Sequence, residues 1–408
     1  MRVVTLEQLT SVFADLPASP RVVASGNFAT PQAILQVFDE QVPEYTLHML
    51  NGHAPLPDRP GVTYETAFVG PGMRHHPRLV YVPCRLSLVP VLFRDHHRPD
   101  VVLLHTSARR YDTVSLGTEV NVLPAAIEAA REHGGIVVAQ ANPMMPYTYG
   151  DAQVYEHEID YLVEVEQPLA THEPGPLSDT SRQIGERIAA LVQDASTLQL
   201  GIGAVPDAVL AELLGRKGLR IWTEMFSDGV LGLHRAGALD PDVPITASFI
   251  FGSAELYQWL HLNRGVQMLR TERTNDPAMI AKQARMTSVN AALQVDLLDQ
   301  ANASRIKGRI YSGFGGSTDF IVGALHSRGG QSFIALPSWH PKANVSTIVP
   351  MLTEPVTSLQ HSYVATEQGI AEIFGRSERD QALNIINEAA HPDAREFLTD
   401  QAGALGLI

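Results

Sequence analysis

Apolar and polar positions along this chain switch repeatedly between two periods. Runs that are continuously apolar or alternate with period two, at 21–25, 45–50, 62–68, 79–82, 101–105 and 135–139, read as strands. Helical patterns lie between them. Segment 32–42 opens on Thr30 as N-cap and Pro31 as first helical residue, and 124–132 is the clearest of the others. Thr5 and Gln8 form a capping box for a short amphipathic helix through Leu6, Leu9 and Phe13. Strands alternating with helices predict a mostly parallel sheet.

Around 164–180 the periodicity gives way to acidic residues and three prolines, which predicts an interdomain crossing. A second α/β series follows. Ile184, Ile188, Leu191 and Val192 share a helical face, 198–200 is a short strand, and Gly201 to Gly203 form a turn. Pro206 then starts a helix that turns Val209, Leu210, Leu213 and Leu214 inward. The expected fold is α/β with two similar open, mostly parallel-sheet domains, 1–175 and 176–408. A length of 408 residues suits that division.

Composition narrows the partners. Hydrophobic residues at 45% and charged residues at 18% are ordinary for a globular enzyme. A net charge of -14 argues against nucleic acid or an anionic membrane as partner, since both need a basic face. A small anionic ligand stays open, because backbone N–H groups bind one whatever the global charge. With Cys84 as the single cysteine, no intrachain disulfide and no cysteine zinc site within the chain is possible. Cys84 itself reads as a packing residue. The start turns polar too early for a secretory signal, and no apolar run approaches membrane-spanning length. Cytoplasmic residence is expected. The pairs His75-His76 and His96-His97 point apart on any regular element, no His-Glu-x-x-His occurs, and 94–98 reads as a solvated loop, so no metal is expected. Gly-x-Ser-x-Gly is missing too, which weakens a serine hydrolase.

Three stretches carry candidate chemistry. In 219–229, Leu219 and Ile221 alternate with Arg220 and Trp222 ahead of a Ser227-Asp228-Gly229 turn, which puts Glu224 at the end of a strand. Open α/β sheets bind ligands there. A carboxylate in that place is a general base, a metal ligand, a nucleophile or a solvated loop residue. Gly201 and Gly203 mark a strand, turn and helix start that offers N–H groups to an anion, but the third glycine of a dinucleotide fingerprint is missing. Gly313, Gly315 and Gly316 let a ligand approach the backbone, with Ser317 and Asp319 beside them, and no Gly-Lys-Ser/Thr makes them a P-loop.

The ordered set Gly201-Ile-Gly-Ala-Val-Pro-Asp207, Trp222-Thr-Glu-Met-Phe-Ser-Asp-Gly229, Ser288-Val-Asn290, Gly313-Phe-Gly-Gly-Ser-Thr-Asp319, Ala335-Leu-Pro-Ser338, Ala365-Thr-Glu-Gln-Gly369 and Ala390-His-Pro-Asp393 resembles the acetyl-CoA hydrolase/transferase family, which includes the 4-hydroxybutyrate CoA-transferases. The resemblance spans the chain and is dense from 184 onward. It implies Glu224 as nucleophile, and Gly313, Gly315 and Gly316 as the loop lining the thioester and its oxyanion. It also implies a cleft between two similar domains as the active site, coenzyme A as substrate and product thioester, an acyl-CoA and a small carboxylic acid as partners, and a homodimer or higher homo-oligomer. Gln294, in the family's Asn-to-Asp segment, reads equally as a hydrogen-bond partner for the acyl intermediate or as a buried strand amide.

A glutamate suits that chemistry because its carboxylate, with an ordinary pKa near about 4.3, is ionised at neutral pH without a helper base. Attack on an acyl-CoA gives a mixed anhydride and CoA thiolate, and re-attack gives a glutamyl-CoA thioester that a second acid collects. If water intercepts an intermediate, the same site is a hydrolase. A non-catalytic acyl-CoA-binding protein is the alternative from another class. The chain also departs from the family pattern. Met145-Pro146-Tyr147 stands where Met-Pro-Arg is expected, Ser346-Thr347 where Ser-Arg is, and Glu367-Gln368-Gly369 where Glu-Tyr-Gly is. The loop from Ser107 to Asp112 replaces a Ser-Pro-Pro-Asp type segment. An arginine fork is the natural clamp for a carboxylate, so Arg109 and Arg110 become candidate substitutes.

Overall fold

Strand Val101–Ser107 is buried at all seven positions, as befits a strand covered on both faces. In the computed structural model, which describes residues 1–201, 203–356 and 360–408, it lies inside an eight-stranded sheet. The order is Arg2–Val3, Tyr161–Glu164, Ile136–Asn142, Val101–Ser107, Arg21–Ala24, Tyr45–His48, Val62–Thr66 and Leu79–Tyr81. Every neighbouring pair in it is parallel. Chain direction across the sheet reverses between Arg21–Ala24 and Val101–Ser107, which makes their carboxyl ends its switch point.

The helix Gln32–Gln41 shows how this sheet fixes its cover. Thr30 is not its N-cap. Pro31 occupies that position with no side-chain cap bond. The missing acceptor comes from Gln140 on a neighbouring strand, whose Oε1 takes the N–H groups of Ala33 at 3.0 Å and Ile34 at 3.3 Å. Two orphan donors are satisfied across the fold instead of locally.

Glu65 is a second cross-strand device. Its carboxylate, about 4% exposed, accepts from Arg21 at 3.3 Å, His48 at 3.0 Å and His97 at 2.9 Å. His97 thus leaves the solvated loop expected at 94–98. Burial pushes the Glu65 pKa up, but the His48 hydrogen bond and the charges of His48 and Arg21 outweigh it and hold it at about 2. A carboxylate depressed from 4.5 stabilises the fold fully above pH 4.5 and loses that contribution as pH falls through about 2. Glu65→Gln is expected to lower unfolding free energy at pH 7 by on the order of 3 kcal/mol, with the gap to wild type closing toward pH 2, read by urea titration. Equal stability of the two proteins at pH 7 would remove this role.

The second sheet runs Arg220–Ile221, Thr197–Leu200, Met286–Ala291, Gln331–Ala335, Tyr363–Ala365 and Ile370–Glu372. It is parallel except for its last pair. From Thr197–Leu200 the chain moves to one side and returns on the other at Met286–Ala291, so the switch point lies at Leu200 and Asn290. Helices Asp179–Leu191 and Ala204–Glu212 pack together over it. The latter starts at Ala204, two residues before Pro206, and ends at Glu212. Leu213 is fully buried, but Leu214 lies past the helix end and is 43% exposed, against expectation. A cluster including Val295, Ile334, Val364, Ile385 and Leu398 forms the core toward the carboxyl terminus.

Two compact units result, each discontinuous in sequence. The first comprises Met1–Glu173, Pro244–Thr274 and Ser312–Gly315, and the second Pro174–Val243, Asn275–Tyr311 and Gly316–Ile408. Segment Pro244–Thr274 enters the first unit through a parallel three-stranded sheet, Ile245–Ala247, Val266–Met268 and Tyr149–Gly150. Cys84 is buried, as a packing residue would be. Among the described residues, no helix is long and apolar enough to cross a membrane.

Candidate active site

The second sheet places Glu224 at its carboxyl edge, three residues beyond Arg220–Ile221. Trp222 N–H bonds Leu198 carbonyl at 3.1 Å, which keeps the chain in register as the strand ends. Buried Thr223 then donates its hydroxyl to Met225 carbonyl at 2.8 Å, closing a tight step around Glu224. The turn expected at Ser227 is instead a helix start. Ser227 is extended and holds the N-cap position of Asp228–Arg235 without a side-chain cap bond.

Three groups meet the Glu224 side chain. Asn275, fully buried, donates its amide to Oε2 at 2.9 Å. Gly316, the N-cap residue of helix Ser317–His326, passes so close that a Cβ there would collide with the Glu224 carboxylate and the Asn275 amide. Asp319, buried in the first turn of that helix, adds a negative charge. Burial pushes the Glu224 pKa up, the Asn275 hydrogen bond pulls it down, and Asp319 pushes it up again, leaving it at about 7. The carboxylate ionised at neutral pH without perturbation, expected from sequence, is therefore about half protonated there. Desolvation makes the difference.

Glu367 follows Tyr363–Ala365 on the same sheet and contrasts with it. Its carboxylate takes Ser338 N–H at 2.9 Å, the Ser338 hydroxyl, and the Gln368 amide at 3.2 Å. Burial raises its pKa, yet the Ser338 bonds bring it below the ordinary range. One carboxylate is saturated with donors and stable as an anion, and the other is destabilised as an anion with one oxygen held. The two carboxyls thus sit in opposite electrostatic environments.

The other predicted residues are dispersed. Gly201 ends Thr197–Leu200 at the switch point, and Gly203, with φ 117°, precedes the helix Ala204–Glu212. Ile202 between them lies outside the described residues. Gly313 bridges Phe68 in the first unit, Gly315 has φ 58°, and the chain passes into the second unit at Gly316. Gln294 sits on a separate small sheet, paired with Asn302. Arg109 is ion-paired to Glu156 at 3.0 Å, and Arg110 lies 5.7 Å from the Tyr111 ring and 6.0 Å from that of Tyr147. Among the described residues, no group of three His, Cys, Asp or Glu side chains could hold a metal ion.

Sequence reading missed two features. Asn275 lies 51 positions from Glu224, in a segment with no pattern of its own. The second is a buried ladder at the switch point, where Gln199 Oε1 accepts from Ser288 at 2.5 Å and Asn290 at 3.2 Å. Polar residues at alternate positions of a buried strand were the available signal for that ladder.

The fold is that of the CoA-transferases. The structure of 4-hydroxybutyrate CoA-transferase from Porphyromonas gingivalis superposes with a TM-score of 0.83 at 31% identity, covering 99% of this chain and 98% of that one. The acetyl-CoA hydrolase/transferase C-terminal domain model matches residues 252–402. Clostridium kluyveri 4-hydroxybutyrate coenzyme A transferase is 39% identical over 336 residues, covering 79% of this chain and 77% of that protein. Fasciola hepatica succinyl-CoA:acetate/propanoyl-CoA:succinate CoA transferase is 36% identical over 416 residues, covering 96% and 86%. The chain belongs to the acetyl-CoA hydrolase/transferase family and is an enzyme of CoA-transferase type.

Proposed function

We propose that this protein moves CoA from an acyl-CoA to a carboxylic acid through a glutamyl-CoA thioester on Glu224. The observation that carries the reading is the held carboxylate. Asn275 fixes Oε2, which leaves Oε1 as the attacking atom, and a site that raises the pKa to about 7 makes the anion a better nucleophile than an ordinary glutamate. Oε1 attacks the thioester carbonyl and the C–S bond breaks, giving a mixed anhydride and CoA thiolate. The thiolate attacks the glutamyl carbonyl and the first acid leaves as its carboxylate. The incoming carboxylate then attacks the glutamyl thioester, releasing the thiolate again, and that thiolate takes the new acyl group from the second anhydride. Gly316 lies against the carboxylate, and to a backbone N–H of its loop we assign the tetrahedral oxyanion. Coenzyme A enters and leaves as a substrate, and no step calls on a metal. Hydrolysis is the same sequence ended by water at either intermediate, so water exclusion separates the two outcomes.

Intact-protein mass spectrometry after mixing with acetyl-CoA tests this. A CoA adduct is expected on the peptide holding Glu224, discharged by an added acid and missing in Glu224→Ala. An adduct elsewhere, or turnover surviving in Glu224→Ala, would overturn the reading.

A further inference from the structure

Glu224 and Asp319 converge on one backbone position in the second unit. Gly316 holds the N-cap of helix Ser317–His326, and a Cβ there would collide with the Glu224 carboxylate. Asp319 is the third residue of the same helix, the position whose side chain folds back over the N-cap, as the acid of a capping box does. Two carboxyls therefore share one corner, and Asp319 is buried in it.

Packing fixes the corner. Phe320, next to Asp319, lies in one apolar cluster with Ile280, Met286 and Ala324, and Trp222, two positions before Glu224, packs against that cluster. Gly323 lets Ile280 press into the helix where a Cβ would clash. Strand end and helix are thus held to each other, and so is the separation of the two acids. The other charged groups on the surrounding elements are turned to local work. Asp276 accepts the Ala278 N–H at 2.8 Å as N-cap of Pro277–Ile280, Asp207 accepts the Ser227 hydroxyl at 3.5 Å, and Arg220 pairs with Asp240 at 3.0 Å. Asp228 stands in the first turn of its own helix, and His326 in the last turn of the helix that carries Asp319.

We propose that Asp319 is a positioning residue of the transfer reaction, whose negative charge repels the Glu224 carboxylate and so drives Glu224 toward its covalent forms. The proposal rests on the CoA-transfer reading. In the first half-reaction Oε1 attacks the acyl carbon, the C–S bond breaks, and the thiolate then displaces the acid from the glutamyl carbonyl. The negative charge of Glu224 has left with that acid. Repulsion from Asp319 is present in the free enzyme and gone in the thioester. Protonation of Glu224 relieves it equally, since both changes neutralise one carboxylate beside one fixed charge. A single interaction therefore sets two quantities, the acid limb of the rate profile and the share of enzyme held as thioester.

Asp319→Asn keeps the shape and removes the charge. In the full chain, the pH at which kcat/KM for acetyl-CoA levels off should fall by about one unit, the size of one like charge removed at close range. Intact-protein mass spectrometry at pH 8, where Glu224 is mostly ionised in both proteins, reads the second quantity. The acetyl-CoA to acetate ratio that holds half the protein as CoA adduct should rise about tenfold, the same factor as the pH shift. A merely structural role would not move the two together. Both unmoved, or one moving without the other, would overturn the proposal. Asp319→Ser, which removes the charge in a smaller volume, takes the same two readings if the asparagine variant does not fold. Such failures with the wild-type adduct intact on Glu224 sink this inference alone, and no adduct in wild type sinks the reading beneath it.

Discussion

Glu224→Gln is expected to abolish CoA transfer and, above neutral pH, to make the protein more stable. Glutamine keeps the shape and the acceptor oxygen for Asn275, but it has no charge to attack with. Loss of a covalent nucleophile costs at least about a thousandfold in kcat. Stability moves the other way. A carboxyl raised from 4.5 to about 7 binds its proton more tightly in the folded state, so wild-type stability falls as pH rises between those values. Integrated over that interval, the penalty is roughly 3 kcal/mol above pH 7 and vanishes below pH 4.5, and the neutral amide escapes it. Thermal melts at pH 4.5 and pH 8 should agree at the first and favour the variant at the second. The same pKa shapes wild-type kinetics. kcat/KM for an acyl-CoA should climb about tenfold per pH unit below 7 and level off above it. A flat profile from pH 5 to 8, or a variant no more stable at pH 8, would show that desolvation does not govern this carboxyl.

Gly316→Ala should lower turnover by about a hundredfold or more while leaving the fold intact, because displacing a reacting group by about an ångström has consequences of that size. The backbone at 316, with φ -105° and ψ 1°, is open to any residue, so alanine brings no conformational strain. What it brings is a methyl group where the Glu224 carboxylate and Asn275 amide now lie. The carboxylate must rotate away, and its pKa changes with its partner. Circular dichroism and the melting temperature should stay near wild type while the CoA adduct forms slowly. Wild-type rates in Gly316→Ala would mean that the carboxylate has room to spare.

The parallel architecture was legible because its causes are local. A buried central strand such as Val101–Ser107 must be apolar throughout, and Leu219 to Trp222 announces a strand that has to end near Glu224. Features depending on distant partners were not legible. Thr30 looked like a cap because its residue type and Pro31 fit one, yet Gln140 supplies the acceptor from 107 positions away. Ser227 to Gly229 has turn composition, and nothing local says that a helix follows directly. The pKa of Glu224 could not be read at all, since it depends on burial and on Asp319 rather than on the glutamate. Asn275 shows the limit most plainly. Its role exists only once the segment beginning there joins the second unit.

The interleaving of the two units also orders their assembly during synthesis. Tyr149–Gly150 has to wait for Val266–Met268, and Phe68 for Gly313, before the first unit closes. A nascent chain leaving the ribosome therefore carries an unfinished amino-terminal unit for more than half its length, while the strands of the second unit are already emerging. Neither unit is a module that could be lent to another protein by cutting the chain once. Any circular rearrangement of this gene would have to keep the two returning segments, Pro244–Thr274 and Ser312–Gly315, together with the amino-terminal unit.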